Sequence, residues 1–388
     1  MKKIYLIKNL SPWMINELLA FSLFTQFRVI LLREPAKVYH NDIEELKTRG
    51  VEVLIAPFQS FPSLKKSLFS VYFILKNISC FLEIKNFVFG IKSIYWFTKL
   101  RQDVIPSRSS VHAQFATQAS IIALLYRHYL KDVEYSFTFH AYDIYFRNKF
   151  FIKLINKSKI AFTISKFSIQ YVLNKYPIIN SKKLEISRLG TFISKEHLGN
   201  KIKKNKALTI GFLGNFVPEK NIFLLLKAMK ILSDTVDNLN MYIAGDGPLR
   251  DNVLDFIKNS VLKDKIHYLG FVYGNKKEEF FDRIDVSVLP SISEGLPVVL
   301  MEALSFSIPI IATDITALSE ICKNNYNGFL IPPGDIEALK EAILKFYQMD
   351  DAEFQEYRRR AYKSSRDYDI IENSKNKLEK LGWIESRE

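Results

Sequence analysis

SISEGLPVVLMEALSFSIPIIATD, residues 291–314, is the stretch on which the fold turns. Ser291 ends a strand, Gly295 permits a sharp turn and Pro297 suits the first position of a helix, so a helix is predicted from about there through Ala303. Glu294 then falls just before the helix, and Glu302 about one and a half turns into it. Between them lie backbone N–H groups without intrahelical acceptors. With the positive end of the helix dipole they form an anion site at the carboxyl end of a sheet, where open α/β folds place ligands. A solitary glutamate is ordinarily a solvated surface group. Glu302 differs because VVLM precedes it and AL follows, and an unpaired carboxylate in that setting is costly. It needs a partner.

Outward from this stretch, short β-branched and aromatic runs alternate with longer amphipathic ones. KIYLI at 3–7, FRVILL at 27–32, VEVLIA at 51–56, SSVHAQF at 109–115 and YSFTFHAY at 135–142 form a first series. LTIGFLG at 208–214, LNMYIAG at 239–245, KIHYLGFV at 265–272, DVSVLPS at 285–291 and IPIIAT at 308–313 form a second. Such alternation predicts parallel α/β sheets, and 388 residues exceed the usual size of one domain. The expected division is an N-terminal Rossmann-like domain over 1–194, a C-terminal one over 195–368, and a terminal helix over 369–388 packing back on the first domain. The lysine-rich, polar stretch 195–206 reads as the linker.

Charge is distributed unevenly. Residues 1–200 hold 29 Lys and Arg against 13 Asp and Glu, while the remainder hold 26 against 28. An anionic partner for the first half is expected. Residues 61–102 sharpen this, with six lysines and Arg101 against Glu83 alone, interleaved with Phe69, Tyr72, Phe73, Phe81, Phe87, Phe89, Tyr95, Trp96 and Phe97. That composition fits an amphipathic helix on an anionic bilayer, and equally a helical pair covering the first sheet with its aromatics in the core and its lysines solvated. Nucleic acid ranks lower, since no recognition-helix or RNA-binding signature accompanies the charge. The longest uncharged stretch, Ser109–Tyr126, carries His112, Gln114 and Gln118 and makes a poor membrane span. Cys80 and Cys322 form no metal or redox spacing, and a cytoplasmic location is expected.

Three further segments bear on the anion site. IGFLGNFVPEKN, 210–221, is a strand, a turn at Gly214 and then Lys220 near a helix start, from which an ammonium can reach a diphosphate. AGDGPL at 244–249 places Gly245 and Gly247 where backbone could approach closely, although a plain tight turn explains them as well. TFHAYD at 138–143 sets His140 and Asp143 just past a strand, where His140 could hydrogen-bond a transferred group. A carboxylate on each side of a phosphate-binding turn can accept hydrogen bonds from hydroxyls at both ends of a sugar–diphosphate–ribose ligand. The spacing suits a nucleotide sugar.

These residues resemble glycosyltransferase family 4, the retaining family with the GT-B fold of two Rossmann-like domains facing across a cleft. The resemblance is strongest over 208–335. It rests on the E-x7-E signature in SEGLPVVLMEAL, on FSIPIIATD and NGFLIPPGD, and on GNFVPEKN, AGDGPL, LGFV and SFTFHAYD. It implies that Glu294 contacts the donor sugar, Glu302 the ribose and Lys220 the diphosphate. The main chain through Gly295, Leu296, Pro297, Val298 and Val299 would face the phosphates and sugar, Phe271 and Val272 the base, and His140 the sugar, with Gly214, Asn215 and Gly245 in the phosphate region. It further implies transfer with retention to a saccharide or lipid-linked saccharide acceptor, in bacterial cell-surface polysaccharide synthesis, without a metal or other cofactor. No Asp-x-Asp pair lies within the 208–335 stretch that carries the resemblance. A nucleotide-sugar epimerase and a degenerate saccharide-binding scaffold of the same fold are the alternatives. Against the family pattern, Asn215 stands where an arginine is usual, Asn221 and Phe306 where glycines are, and Gln114 where a related subgroup often has a second histidine.

Overall fold

Strand β1 (Lys2–Ile7) shows why the chain builds a two-faced sheet. Ile4 and Leu6 enter one core cluster, while Tyr5 and Ile7 enter another on the opposite face. A strand covered on both sides loses the polar alternation of a surface strand and reads as a continuous apolar run. β4 (Ser109–Gln114) is buried along its whole length for the same reason. The computed structural model describes all residues except 56–57, 59, 78–83, 102, 141–142, 145–149, 194–206 and 386–388. Those residues include the expected linker.

The described residues form two compact units, Met1–Leu189 with Ile370–Glu388, and Gly190–Asp369. In the first, β2 (Arg28–Leu31), β3 (Glu52–Ile55), β5 (Glu134–Phe139), β6 (Ala161–Thr163) and β7 (Leu184–Ile186) join β1 and β4 in the order β3-β2-β1-β4-β5-β6-β7. In the second, β8 (Leu208–Leu213), β9 (Leu239–Ala244), β10 (Ile266–Tyr268), β11 (Val286–Leu289), β12 (Ile310–Thr313) and β13 (Gly328–Ile331) run β10-β9-β8-β11-β12-β13. All these pairings are parallel. In both sheets the order reverses beside the first strand, between β1 and β4 and between β8 and β11. Those switch points are where doubly wound sheets bind ligands.

The terminal helix (Ile370–Leu381) packs against the Pro12–Ser22 helix of the first unit. Leu378, Leu381 and Trp383 enter the same cluster as Leu18 and Phe21, and the Trp383 indole donates to Ser110 Oγ at 2.8 Å. Beneath them Lys377 forms a 2.6 Å ion pair with Glu17, both side chains almost wholly buried.

The basic aromatic stretch forms two helices that pack part of their aromatics on the first sheet's core. The Leu64–Lys76 and Ile84–Lys99 helices turn Phe73 and Phe97 into the core, with Phe69 and Trp96 partly buried against it. Lys66 is an exception to the solvated lysines. It is buried, donating to Tyr126 Oη at 2.6 Å and to the Leu100 carbonyl at 2.9 Å, and burial lowers its pKa to about 8. On the outer side Phe61, Leu64, Leu68, Val71, Tyr72 and Leu75 are exposed, with Val88, Ile91 and Tyr95 on the second helix. Phe81 lies outside the described residues, as do the side chains of Phe87 and Phe89. Among the described residues no helix is long and apolar enough to cross a membrane.

Of the two glycine expectations, the one at Phe306 is corrected. Phe306 has φ −84° and caps the Val298–Ser305 helix in a conformation open to any residue. The left-handed residue is its neighbour Ser307, at φ 59°, so that is where a glycine would relieve the chain. Asn221 at φ 50° does occupy a glycine-like position, one of the few that asparagine tolerates.

Candidate active site

In the second unit the site grows from the β8/β11 switch point. β11 ends at Leu289, and the chain reaches a helix at Val298–Ser305 with Pro297 as its N-cap. The turn is pinned from two sides. Thr313 Oγ1 on the neighbouring strand donates to the Ser291 carbonyl, and the Ile292 N–H donates to the Glu219 carbonyl at 2.9 Å. The second bond holds the 215–220 loop against the 291–294 turn, and Lys220 forms an ion pair with Glu294. Ser291 Oγ donates to the same Glu294 oxygen at 2.7 Å.

Glu302 is the fifth residue of its helix, and the partner its apolar setting demanded is Lys277, at 2.5 Å. Lys277 comes from the Asn275–Arg283 helix after β10. Both carboxylates have side chains below 10% exposed, whereas Lys220 and Lys277 remain 20% and 23% open. Two carboxylates, each bound by a half-open ammonium, thus bracket a helix N-terminus whose first N–H groups lack intrahelical acceptors. Chemically, the bracket offers acceptors for hydroxyls and cationic and N–H donors for an anion between them. Lys277 escaped the sequence reading because it sits in NKKEEFFDR, where any lysine looks solvated; the demand of Glu302 was the available signal.

The glycines behave differently from each other. Gly245 has φ +135°, and a Cβ there would lie 1.9 Å from the Gly214 carbonyl oxygen. Its own N–H donates to the Gly270 carbonyl at 2.8 Å, so the close approach at Gly245 is to the protein's own strand ends. Gly295 takes no positive φ, and the turn at 291–297 does not depend on left-handed geometry there. Asn215 is exposed, Phe271 is exposed at 58%, and Val272 is buried. Leu296 is buried, and Val298 and Val299 are partly so.

In the first unit His140 follows β5, next to the end of β4. Its ring lies 4.6 Å from Phe115 and 5.0 Å from Trp13 between centroids. Burial, assisted by the charge of Lys377, lowers its pKa to about 3, so the imidazole is neutral. Asp143 Oδ2 accepts the His140 backbone N–H at 2.9 Å. Burial raises the Asp143 carboxyl to about 7 against the opposing hydrogen bonds of the His140 and Ala116 backbone. Behind His140 lies a polar chain that the sequence reading did not find. His140 Nε2 is 3.2 Å from Gln114 Oε1, and Gln114 Nε2 donates to Tyr5 Oη and, at 2.9 Å, to Glu17 Oε2. Tyr5 Oη donates to the same Glu17 oxygen.

Residues 194–367 match the family model described as glycosyl transferases group 1. The match lies within the second unit, Gly190–Asp369, and each unit carries a parallel, Rossmann-like sheet. TuaC of Bacillus subtilis, named for glycosyl transfer in teichuronic acid biosynthesis, is 27% identical over 344 residues, covering 80% of this chain and 84% of its own. The amylovoran biosynthesis glycosyltransferase AmsK of Erwinia amylovora is 26% identical over 174 residues, and there the match spans only 43% of either chain. Among solved structures, Anabaena HepE in complex with UDP and glucose superposes with a TM-score of 0.69 at 15% identity, covering 99% of this chain and 100% of its own.

Proposed function

We propose that the chain is a retaining glycosyltransferase of family 4 type that moves a hexosyl or N-acetylhexosaminyl group from a nucleotide diphosphate sugar to a saccharide or lipid-linked saccharide acceptor in polysaccharide synthesis. The observation that carries this reading is the bracket of Lys220–Glu294 and Lys277–Glu302 around the Val298–Ser305 helix N-terminus at a sheet switch point. In this reading the diphosphate lies on the backbone N–H groups of Leu296, Val298 and Val299 and shares Lys220 with Glu294. Glu294 accepts from the sugar hydroxyls, Glu302 from the ribose, and the base lies along Phe271 and Val272. His140 meets the transferred sugar. A glycosidase is a poor fit, because its two carboxyls must flank a glycosidic bond, whereas Glu302 sits inside a helix against Lys277. The names of TuaC and AmsK support cell-surface or exopolysaccharide as the product class.

The test is a donor screen over UDP-, GDP- and ADP-sugars, read by release of nucleotide and by thermal stabilisation, with EDTA present throughout. Turnover with Glu294→Gln is expected to fall at least a hundredfold with the fold intact. Binding without turnover of any donor would favour the scaffold alternative, and activity surviving in Glu294→Gln would remove that residue from the reaction. The anomeric configuration of product follows from its NMR coupling constant; inversion refutes the retaining mechanism.

We also propose that the exposed stripe Phe61–Leu64–Leu68–Val71–Leu75, flanked by Lys65, Lys76 and Lys92, rests on an anionic lipid surface. Cosedimentation with phosphatidylglycerol vesicles but not phosphatidylcholine ones is expected. Leu68→Glu should abolish it, and equal recovery on both lipids refutes charge-dependent docking.

A further inference from the structure

The polar chain behind His140 fixes more than position. Glu17 accepts hydrogen bonds and is neutralised by Lys377 at 2.6 Å. A carboxylate has no proton to donate, so the Gln114 group 2.9 Å from it must be the NH2 end of the amide, and the same end donates to Tyr5 Oη. The other end, Oε1, is then the atom facing His140 Nε2 at 3.2 Å. A carbonyl oxygen only accepts. Nε2 must therefore carry the hydrogen, and since burial keeps the ring neutral, Nδ1 is left bare. Among the described residues no group donates to Nδ1.

We propose that Gln114 is a positioning residue that selects the Nε2–H tautomer of His140, its own orientation being set by Glu17 and, through Glu17, by Lys377 of the terminal helix. The chain runs from the Lys377 ammonium to the Glu17 carboxylate, to the Gln114 NH2 and carbonyl, to the imidazole. It gives every member a single compatible direction. The consequence is chemical selectivity: His140 presents an acceptor, and suits an O–H donor such as a sugar hydroxyl rather than a phosphate oxygen. That last step rests on the transferase reading above; the tautomer does not.

The discriminating measurement is the side-chain nitrogen spectrum of histidine-labelled full-length protein at pH 7, with the His140 signals assigned by their loss in His140→Gln. Nε2 protonated and Nδ1 bare is the expected result. A protonated Nδ1 overturns the proposal whatever the enzyme's activity. Gln114→Met removes both ends of the amide. A neutral hydrogen bond biases the tautomers by roughly tenfold at most, so the variant is expected to show mixed or reversed tautomers. An unchanged Nε2–H signal in Gln114→Met denies Gln114 its selecting role. Should that variant not fold, Gln114→Leu, which likewise offers His140 no acceptor, takes its place, and an unchanged Nε2–H signal in it counts equally against Gln114. In a working donor assay, loss of the preferred tautomer should appear mainly in kcat, with KM changing less than kcat.

Discussion

Replacing Lys377 by Met deletes one charge and leaves the apolar stem nearly unchanged. The ammonium lies in a wholly buried site among the rings of Tyr5, Phe21 and Phe162, and Glu17 beside it is 5% exposed. Taking away one partner of such a pair strands the other charge, which costs about 3–5 kcal/mol. Tyr5 and Gln114 still donate to Glu17, so the lower end of that range is expected. For a unit of this size each kcal/mol shifts Tm by about 2–4 °C, giving a fall of at least roughly 6 °C. The assay is convenient because Trp13, Trp96 and Trp383 are the chain's three tryptophans and all belong to the first unit, so tryptophan fluorescence melts report that unit alone. The second arm is Glu17→Leu combined with Lys377→Met, which removes both charges. It should recover half or more of the loss, since a buried pair replaced by apolar groups is often neutral. A loss below about 1 kcal/mol in Lys377→Met, or a double variant no better than the single one, would refute the assignment of the pair as a buried ionic contact.

The acid profile of the first unit holds two opposed contributions. Asp143 has a folded pKa of about 7 against 3.8, so its contribution is full below about pH 4 and is lost as pH rises toward 7. His140, at about 3 against 6.5, contributes fully above about pH 6.5 and loses this as pH falls toward 3. Between about pH 4 and 6.5 the slopes nearly cancel, each worth about 1.4 kcal/mol per pH unit. In urea titrations at fixed ionic strength, His140→Gln should therefore make stability decline with rising pH, and Asp143→Asn should make it climb; parallel profiles for parent and both variants would contradict the shifts. Ser307→Gly is expected to stabilise the second unit by up to about 1 kcal/mol by relieving its left-handed residue. Phe306→Gly should instead destabilise, because that ring packs 5.0 Å from Phe281; the reverse order in calorimetry would return the glycine position to 306.

Much of the architecture was legible because strands covered on both faces become uninterrupted apolar runs. Each of the ten expected runs overlaps a strand, from β1 to β5 and from β8 to β12. β6 and β7 have three residues each, AFT and LEI, too few to display any period. β13 was visible only as part of the NGFLIPPGD resemblance. At the site, Glu302 announced itself because a carboxylate inside VVLM-AL is expensive, but its partner could not be picked from a charged helix. Glycine positions misled for a related reason: a motif gives the residue type, whereas the dihedral angle shows which neighbour, Phe306 or Ser307, bears the strain. The polar chain behind His140 was out of reach altogether. Its members Tyr5, Glu17, Gln114 and Lys377 are far apart in sequence, and each taken singly looks unremarkable.

The terminal helix belongs to a unit whose other residues end at Leu189, so the ribosome makes residues 190–369 before it supplies the last piece. Until Lys377 and Trp383 emerge, the nascent first unit carries the Glu17 carboxylate without its counter-ion and an uncovered face at Phe21 and Phe27. Domains usually mature in the order of their synthesis. Here the first unit is completed last, after the second has had time to form. The amino-terminal unit thus leaves its chaperone-susceptible state only once the segment from Ile370 to Trp383 has been translated, and a premature stop near residue 370 would leave an intact second unit joined to an unfinished first one.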